Sequence, residues 1–411
     1  MKKKSLALMV GGAILAGTGF NAAAQVLSTP VKPTYEIGGG EAKTEGPRGV
    51  EVADGVVFYP YGNLTFGRDD NMFLSSANKT SSNFTIINPG FKLLTRGEVG
   101  QLAIDYDAKL GTYITSHDDD YRDQRLAATA EMAPASSLGF RLGALYVHGH
   151  DPRGSTDRSV STEPDKYENT GANALFAYGA NGALGRVEVE GGTYKRHYVN
   201  NRATTFLSDR SNNLAAARFF IRVAPKTSLV FEARQDKFDY ESPASLFDSK
   251  EKRFLAGVTW DATALTSGTI KVGQIRKDFD SPLLKDYSGT GWEANVRWAP
   301  LTYSTVDLFT SKTFVEATGL GDFILEKRYG VTWNHAWTSR IISGVTYSHA
   351  DDRYDGFDRN DKINSIGLKL GYKLLPGLTL SGEIAHTKRD SNISVFDYKK
   401  NVYMFTIAAT L

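Results

Sequence analysis

The sequence predicts an all-β fold, a single transmembrane antiparallel β-barrel of about 18 strands, with 16 as the alternative. Three observations carry this. Segments of roughly ten to fifteen residues keep alternating apolar with polar side chains. The connections between them are short and long strictly in turn. The last residues place Tyr403, Phe405, Ile407, Ala409 and Leu411 on one face of a closing strand.

Taken in order, the chain starts with Lys2, Lys3 and Lys4, an apolar run from Leu6 to Ala16, and Asn21-Ala22-Ala23-Ala24 before Gln25. That is the layout of a secretory signal peptide over residues 1–24, cleaved after Ala24. The apolar run is shorter than the roughly 20 residues a spanning helix needs. Residues 25–55 carry Pro30, Pro33, the Gly38-Gly39-Gly40 run and Pro47, which break any regular pattern. They read as a periplasmic N-terminal lead-in, a place for a periplasmic partner to dock or a plug for the pore. The barrel itself is expected over residues 56–411.

Composition narrows the class. There is no Cys, which excludes disulfides, thiolate metal sites and a cysteine nucleophile. An exported chain without crosslinks needs another closure, and a hydrogen-bonded barrel supplies it. Twenty Tyr, 22 Phe and 40 Gly suit strands with aromatic girdles and close backbone packing. The net charge of +2 balances 48 basic against 46 acidic residues and points to no partner; nucleic acid is not expected.

From Val56 onward the period of two dominates. In Leu102–Leu110 the odd positions are mostly charged and the even ones apolar; Leu378, Leu380 and Ile384 alternate with Thr379, Ser381 and Glu383. Trp292, Ala294, Val296 and Trp298 form one face of a later segment, and Tyr329, Val331, Trp333, His335 and Trp337 one face of the next but one. A soluble sandwich alternates too, so the connections decide. Short ones fall at Arg96-Gly97-Glu98, Ala133-Pro134-Ala135-Ser136, Asn181-Gly182-Ala183, Pro225-Lys226-Thr227, Thr263-Ala264-Leu265-Thr266, Pro300-Leu301, Thr338-Ser339 and Pro376-Gly377. Between them lie long, charged stretches such as Arg68 to Ser82, Asp151 to Lys166, Tyr198 to Ser211, Tyr240 to Lys250 and Asp351 to Asp361. Short periplasmic turns against long extracellular loops give 18 strands; 16 follows if the segments around Tyr303 or Ser211 are not separate strands.

In such a barrel the polar face lines the lumen. Arg125, Arg141, Arg186, Glu188, Glu190, Arg218, Arg222, Glu232, Arg234, Asp236, Arg253, Asp261, Lys271, Glu293, Arg297, Arg328, Lys369, Lys373 and Glu383 all fall on that phase. They predict a wet, doubly charged interior, a solvated conduit or an ion-paired plug, not a channel for hydrophobic ligands. The guanidinium groups offer weak sites for carboxylated or sulfated sugars; equally, Arg and Glu on neighbouring strands pair to stiffen the wall.

Chemical motifs are few. His148-Gly149-His150-Asp151 has metal-ligand types but lacks a local fourth ligand, so a solvated rim is expected and no metal. Asp69-Asp70, Asp118-Asp119-Asp120 and Asp351-Asp352 read as hydrated loop tips that also suit divalent cations near lipopolysaccharide. No Gly-x-Ser-x-Gly elbow, His-Glu-x-x-His or phosphate loop is present, so no catalytic residue and no cofactor is expected.

Lys388-Arg389-Asp390-Ser391-Asn392, Asp397-Tyr398-Lys399-Lys400-Asn401 and the closing strand resemble the carboxyl-terminal signature of the putative beta-barrel porin 2 family. Phe58-Tyr59-Pro60-Tyr61 with Asp69-Asp70-Asn71 is similar to that family's amino-terminal pattern. The resemblance spans the whole mature chain. It implies an outer-membrane channel that exports an exopolysaccharide or capsular polysaccharide, with a periplasmic polysaccharide-export protein as partner. The alternative from the residues alone is a general or oligosaccharide-selective diffusion porin. Lipid, lipopolysaccharide and the barrel-assembly machinery complete the expected partners. Tyr403, Phe405, Ile407 and Leu411 are the expected assembly signal, although many such barrels end in Phe or Trp and this chain ends in Leu.

Overall fold

A computed structural model describes residues 49–158, 161–180, 182–261 and 265–411. The proposed signal peptide and all but the end of the lead-in lie outside the described residues.

The strands are β1 (Val50–Ala53), β2 (Val56–Asp69), β3 (Ser82–Arg96), β4 (Gly100–Tyr113), β5 (Tyr121–Ala135), β6 (Leu138–Asp151), β7 (Asp165–Tyr178), β8 (Gly185–Tyr198), β9 (Arg210–Ala224) and β10 (Thr227–Tyr240). They continue with β11 (Ser249–Trp260), β12 (Thr266–Phe279), β13 (Tyr287–Leu301), β14 (Ser304–Glu316), β15 (Phe323–Ala336), β16 (Ile341–Asp355), β17 (Asn360–Leu375), β18 (Leu378–Ser391) and β19 (Tyr398–Thr410). β1 is a short addition to the start of β2. β2 to β19 pair antiparallel, each with its neighbour in sequence, and β19 returns to β2 through Val402↔Asp69 to Thr410↔Tyr61. The result is a closed 18-stranded barrel, so no backbone edge faces lipid.

The barrel strands β2 to β19 run from 12 to 16 residues, longer than the roughly ten that cross the hydrocarbon core. Their extracellular ends therefore stand above the membrane. Alternation sets the two faces: on β8, Val187 and Val189 are 39% and 51% exposed while Glu188 and Glu190 are 3% and 5%. The closing strand turns Tyr403 and Phe405 outward, at 48% and 46%. Inward, Thr406 meets Thr65 of β2 at 2.9 Å across the seam. Trp298, Tyr303, Trp337 and Tyr372, near the short-turn end, are exposed aromatics of the kind that anchor a barrel at an interface.

The stretch Asp351 to Asp361 departs from the expectation of a loop. Pairing continues through Phe323↔Asp355 and Arg353↔Asn360, leaving only residues 356–359 as the connection. Asp351 and Asp352 are consecutive strand residues and point to opposite faces. Asp351 faces Lys327 at 3.8 Å, whereas Asp352 lines the lumen.

Candidate functional site: the lumen and its constriction

Two segments fold into the barrel. The first is the tip of the β14–β15 hairpin. β13 and β14 are paired from Leu301↔Ser304 only as far as Trp292↔Lys312, whereas β12 and β13 stay paired up to Lys277↔Tyr287. Freed from β13, the hairpin tip leans inward. Phe314, Phe323 and Leu325 pack on Ile275, with Phe279 and Tyr287 beside them, and Phe323 has no exposed surface. Lys277 on β12 bonds Glu316, as does the Tyr240 hydroxyl of β10, at 2.6 Å. The fully buried Lys277 also pairs with Glu251 at 3.1 Å.

The second is the loop 152–164. Its base is held by Arg158, which binds Asp151 at 2.9 Å and Asp165 at 2.8 Å and stacks on Tyr198. Burial opposes the charge on Arg158, but Tyr198, Asp151 and Asp165 outweigh it and raise its pKa. The neighbouring Asp157 accepts from Arg359 at 2.7 Å and from Tyr354 at 3.1 Å, and its N–H donates to Thr318. Tyr354 lies on β16, nine strands from β7 and so half-way round the 18, which means that the loop crosses the lumen. Arg359 is fully buried between Tyr354 and Phe396, with Asp361 as its second partner at 2.6 Å. Its burial also works against the charge, and Asp361 and Asp157 raise its pKa in spite of it. Gly154 permits the crossing: its φ is +79°, and a Cβ there would lie 2.1 Å from the Phe73 carbonyl oxygen. Arg153 stacks on Phe73 and binds Asp119.

The charged residues expected in the lumen divide into two groups. On one wall they are tied together. Arg141 pairs with Glu131, and Arg186 with Glu188. Arg218 reaches Glu232 at 2.7 Å, Glu190 at 2.9 Å and Glu188 at 3.9 Å. Lys271 bridges Glu232 and Glu293, and Arg253 bridges Glu251 and Glu293. Arg234 holds Asp236, and Arg297 holds Asp307. Carboxylates and cations on the facing side chains of β8 to β13 thus form one network, most of it under 10% exposed.

On the other wall they are not. Among the described residues, Arg328 on β15 and Lys369 and Lys373 on β17 have no carboxylate within ion-pair distance, and neither have Arg125 on β5 and Arg222 on β9, which lie outside that wall. Arg125 stands opposite Asp107, and Lys369 opposite Glu383, without closing a pair. Arg328 lies over the Phe309 ring at 5.8 Å. The Glu383 Oε1 is sealed from solvent and has no hydrogen-bond donor. Asp261, also read as lumenal, follows β11 in a turn, where its N–H donates to the Lys226 carbonyl. Residues that the alternation did not single out complete the lining: Glu326, Asp352, Asp361, Arg196 and Arg389, around a cavity of about 240 Å³ beside the crossing loop. Glu326 and Arg328 share one phase of β15, a signal that was present in the sequence.

His148 and His150 do not converge. His148 lies 3.8 Å from Glu168, and His150 binds Asp123 at 2.8 Å against the Tyr121 ring. His197, Asp209 and Glu241 do meet at the outer rim, but Arg202 and Lys195 already occupy their carboxylates. Outward charges just above the apolar belt pair in the same way, as in Lys252–Asp278.

A closed barrel with a charged lumen, narrowed from within, defines a porin-like outer-membrane channel. The chain belongs to the family described as "Putative beta-barrel porin 2", whose model matches residues 46–411. Among solved structures it is similar to OccAB3 of Acinetobacter baumannii (11% identity, 87% of this chain and 100% of that one, TM-score 0.49). OpdO of Pseudomonas aeruginosa (12%, 87% and 98%, 0.49) and OpdK of the same organism, solved with vanillate (12%, 86% and 99%, 0.49), are similar to a like degree. No curated protein matches the chain.

Proposed function

We propose that the protein is a diffusion porin for small polar solutes, the alternative that the residues offered beside polysaccharide export. The observation that carries this reading is the loop crossing the lumen through Asp157, Arg359 and Tyr354. It narrows the lumen and borders a cavity of about 240 Å³, a volume on the scale of a small solute and not of a polymer strand. The membership of a porin family supports the same side, and no motif in the chain supplies catalysis.

Selectivity follows from the unequal walls. A neutralised network presents little net field to a passing ion, while among the described residues Arg125, Arg222, Arg328, Lys369 and Lys373 close no ion pair and outnumber the unpaired Glu326, Asp352 and Glu383. Modest preference for anions is the expected result. The test is twofold. Purified barrel in planar bilayers should conduct, with small neutral sugars entering proteoliposomes and oligomers of growing length excluded. Deleting the gene should leave surface polysaccharide intact; loss of surface polymer with periplasmic build-up would return the protein to the export class.

A further inference from the structure

We propose that the lumen holds a subsite for zwitterionic solutes, in which Glu326 and Asp352 take an ammonium group while Arg328 takes a carboxylate. The inference deepens the porin reading and rests on it only for its consequence in transport.

The starting point is a pair that a strand sheet ordinarily avoids. Glu326 on β15 and Asp352 on β16 are directly opposite cross-strand partners, and both line the cavity beside the crossing loop. Like charges in that position repel. Neither has an ion pair among the described residues, and the Asp352 Oδ1 is sealed from bulk solvent with no hydrogen-bond donor. Everywhere on the β8–β13 wall a buried carboxylate has its cation. Here no cation closes an ion pair among the described residues, Arg328 being near both carboxylates without reaching either. A shielded acceptor left unsatisfied is costly, so an incoming N–H donor gains what the protein does not supply.

The second half of the site is the Arg328 guanidinium, which lies over the Phe309 ring and closes no ion pair among the described residues. Arg328 lies two residues from Glu326 on the same face of β15, roughly 6.6 Å along the strand, and lines the same cavity. It has no carboxylate partner, and Lys369 continues the basic line toward the short-turn end. Two acceptors, then a forked donor, at the spacing of the two ends of a short amino acid, match a molecule that carries both charges. Phe309, Val315 and Ile324 line the same cavity and suit the methylene body between them. A solute with one charge satisfies half of the site and leaves the other half as it was.

The probes are γ-aminobutyrate and its singly charged isosteres butyrate and butylamine, with Ca²⁺ as a separate arm. Calorimetry on the detergent-solubilised barrel should give saturable binding of γ-aminobutyrate, about fivefold tighter than either isostere. Glu326→Gln with Asp352→Asn should abolish that advantage, and Arg328→Gln should reduce it to the level of butylamine. Proteoliposome swelling should follow the same order. Equal binding of all three probes, or an advantage that survives Glu326→Gln/Asp352→Asn, overturns the proposal. So does Ca²⁺ binding that outcompetes γ-aminobutyrate, which would make the carboxylates a metal site. Binding without swelling would leave the subsite standing and sink the porin reading. Should the double variant fail to fold, each single variant, which keeps one carboxylate, is to show an intermediate loss; single variants indistinguishable from the wild type overturn the proposal as well.

Discussion

The two halves of the lumenal wall use the same residue types to opposite ends. On β8 to β13, Arg218, Lys271, Arg253 and Arg234 are locked among Glu188, Glu190, Glu232, Asp236, Glu251 and Glu293. On β15 to β18, Glu326, Arg328, Asp352, Lys369 and Glu383 stand near one another without a single ion pair. The difference is one of register and bending. Across β8–β9–β10, Glu188↔Arg218↔Glu232 are direct partners, so opposite charges meet at every step. Across β15–β16 the register sets Glu326 against Asp352 and Arg328 against Ala350. Register accounts for β15–β16 but not for β17–β18, where Lys369 stands opposite Glu383 without closing a pair.

Breaking the locked wall should have the largest effect. Arg218→Ala leaves the buried Glu190 without a cation and takes one from Glu188 and Glu232, which keep Arg186 and Lys271, at a cost of about 3–5 kcal/mol, read as a lower urea midpoint of the detergent-folded barrel. Ion selectivity of the surviving folded protein should change far less than its stability. Lys277→Ala should be similarly costly, because it leaves Glu316 without its cation and Glu251 with Arg253 alone, and loosens the inward hairpin.

Cutting the tether of the crossing loop comes next. Asp157→Ala removes the acceptor of Arg359 and Tyr354 while Arg359 keeps Asp361, so about 1–3 kcal/mol is expected. Single-channel conductance should rise as the loop leaves the lumen; unchanged conductance would show that another element sets the narrowest point. At the small end, Lys195→Ala breaks an exposed rim pair with Glu241 and should cost no more than about 1 kcal/mol.

Much of this architecture was legible beforehand. The strand number follows from the rhythm of short and long connections, because each turn and loop reverses a strand that alternates apolar with polar. The lumenal phase of Arg218 or Glu232 is equally readable, since a period of two leaves only two faces. Pairing is not, because the sequence does not state the register that sets Glu188, Arg218 and Glu232 side by side. The inward lean of the β14–β15 tip was hidden too: Phe314 and Phe323 share the phases of the outward Leu308 and Tyr329, yet the loss of β13 pairing puts both faces of the hairpin tip inside. For the same reason Asp351-Asp352 read as a loop tip, although strand pairing carries past it and separates the two carboxylates onto opposite faces. The arginines on the lumenal phase of β9 and β10 also divide: Arg218 and Arg234 are ion-paired, and Arg222 has no ion pair among the described residues.

The most direct test of the account is the reversal potential across a KCl gradient for two matched variants in planar bilayers. One, Arg328→Gln with Lys369→Gln and Lys373→Gln, strips the unpaired wall; the other, Arg253→Gln, takes one cation from the paired wall. The account predicts that the first loses its anion preference or turns to cations while the second stays close to the wild type. A shift in the second as large as in the first, or none in the first, would contradict the claim that the unpaired wall sets selectivity.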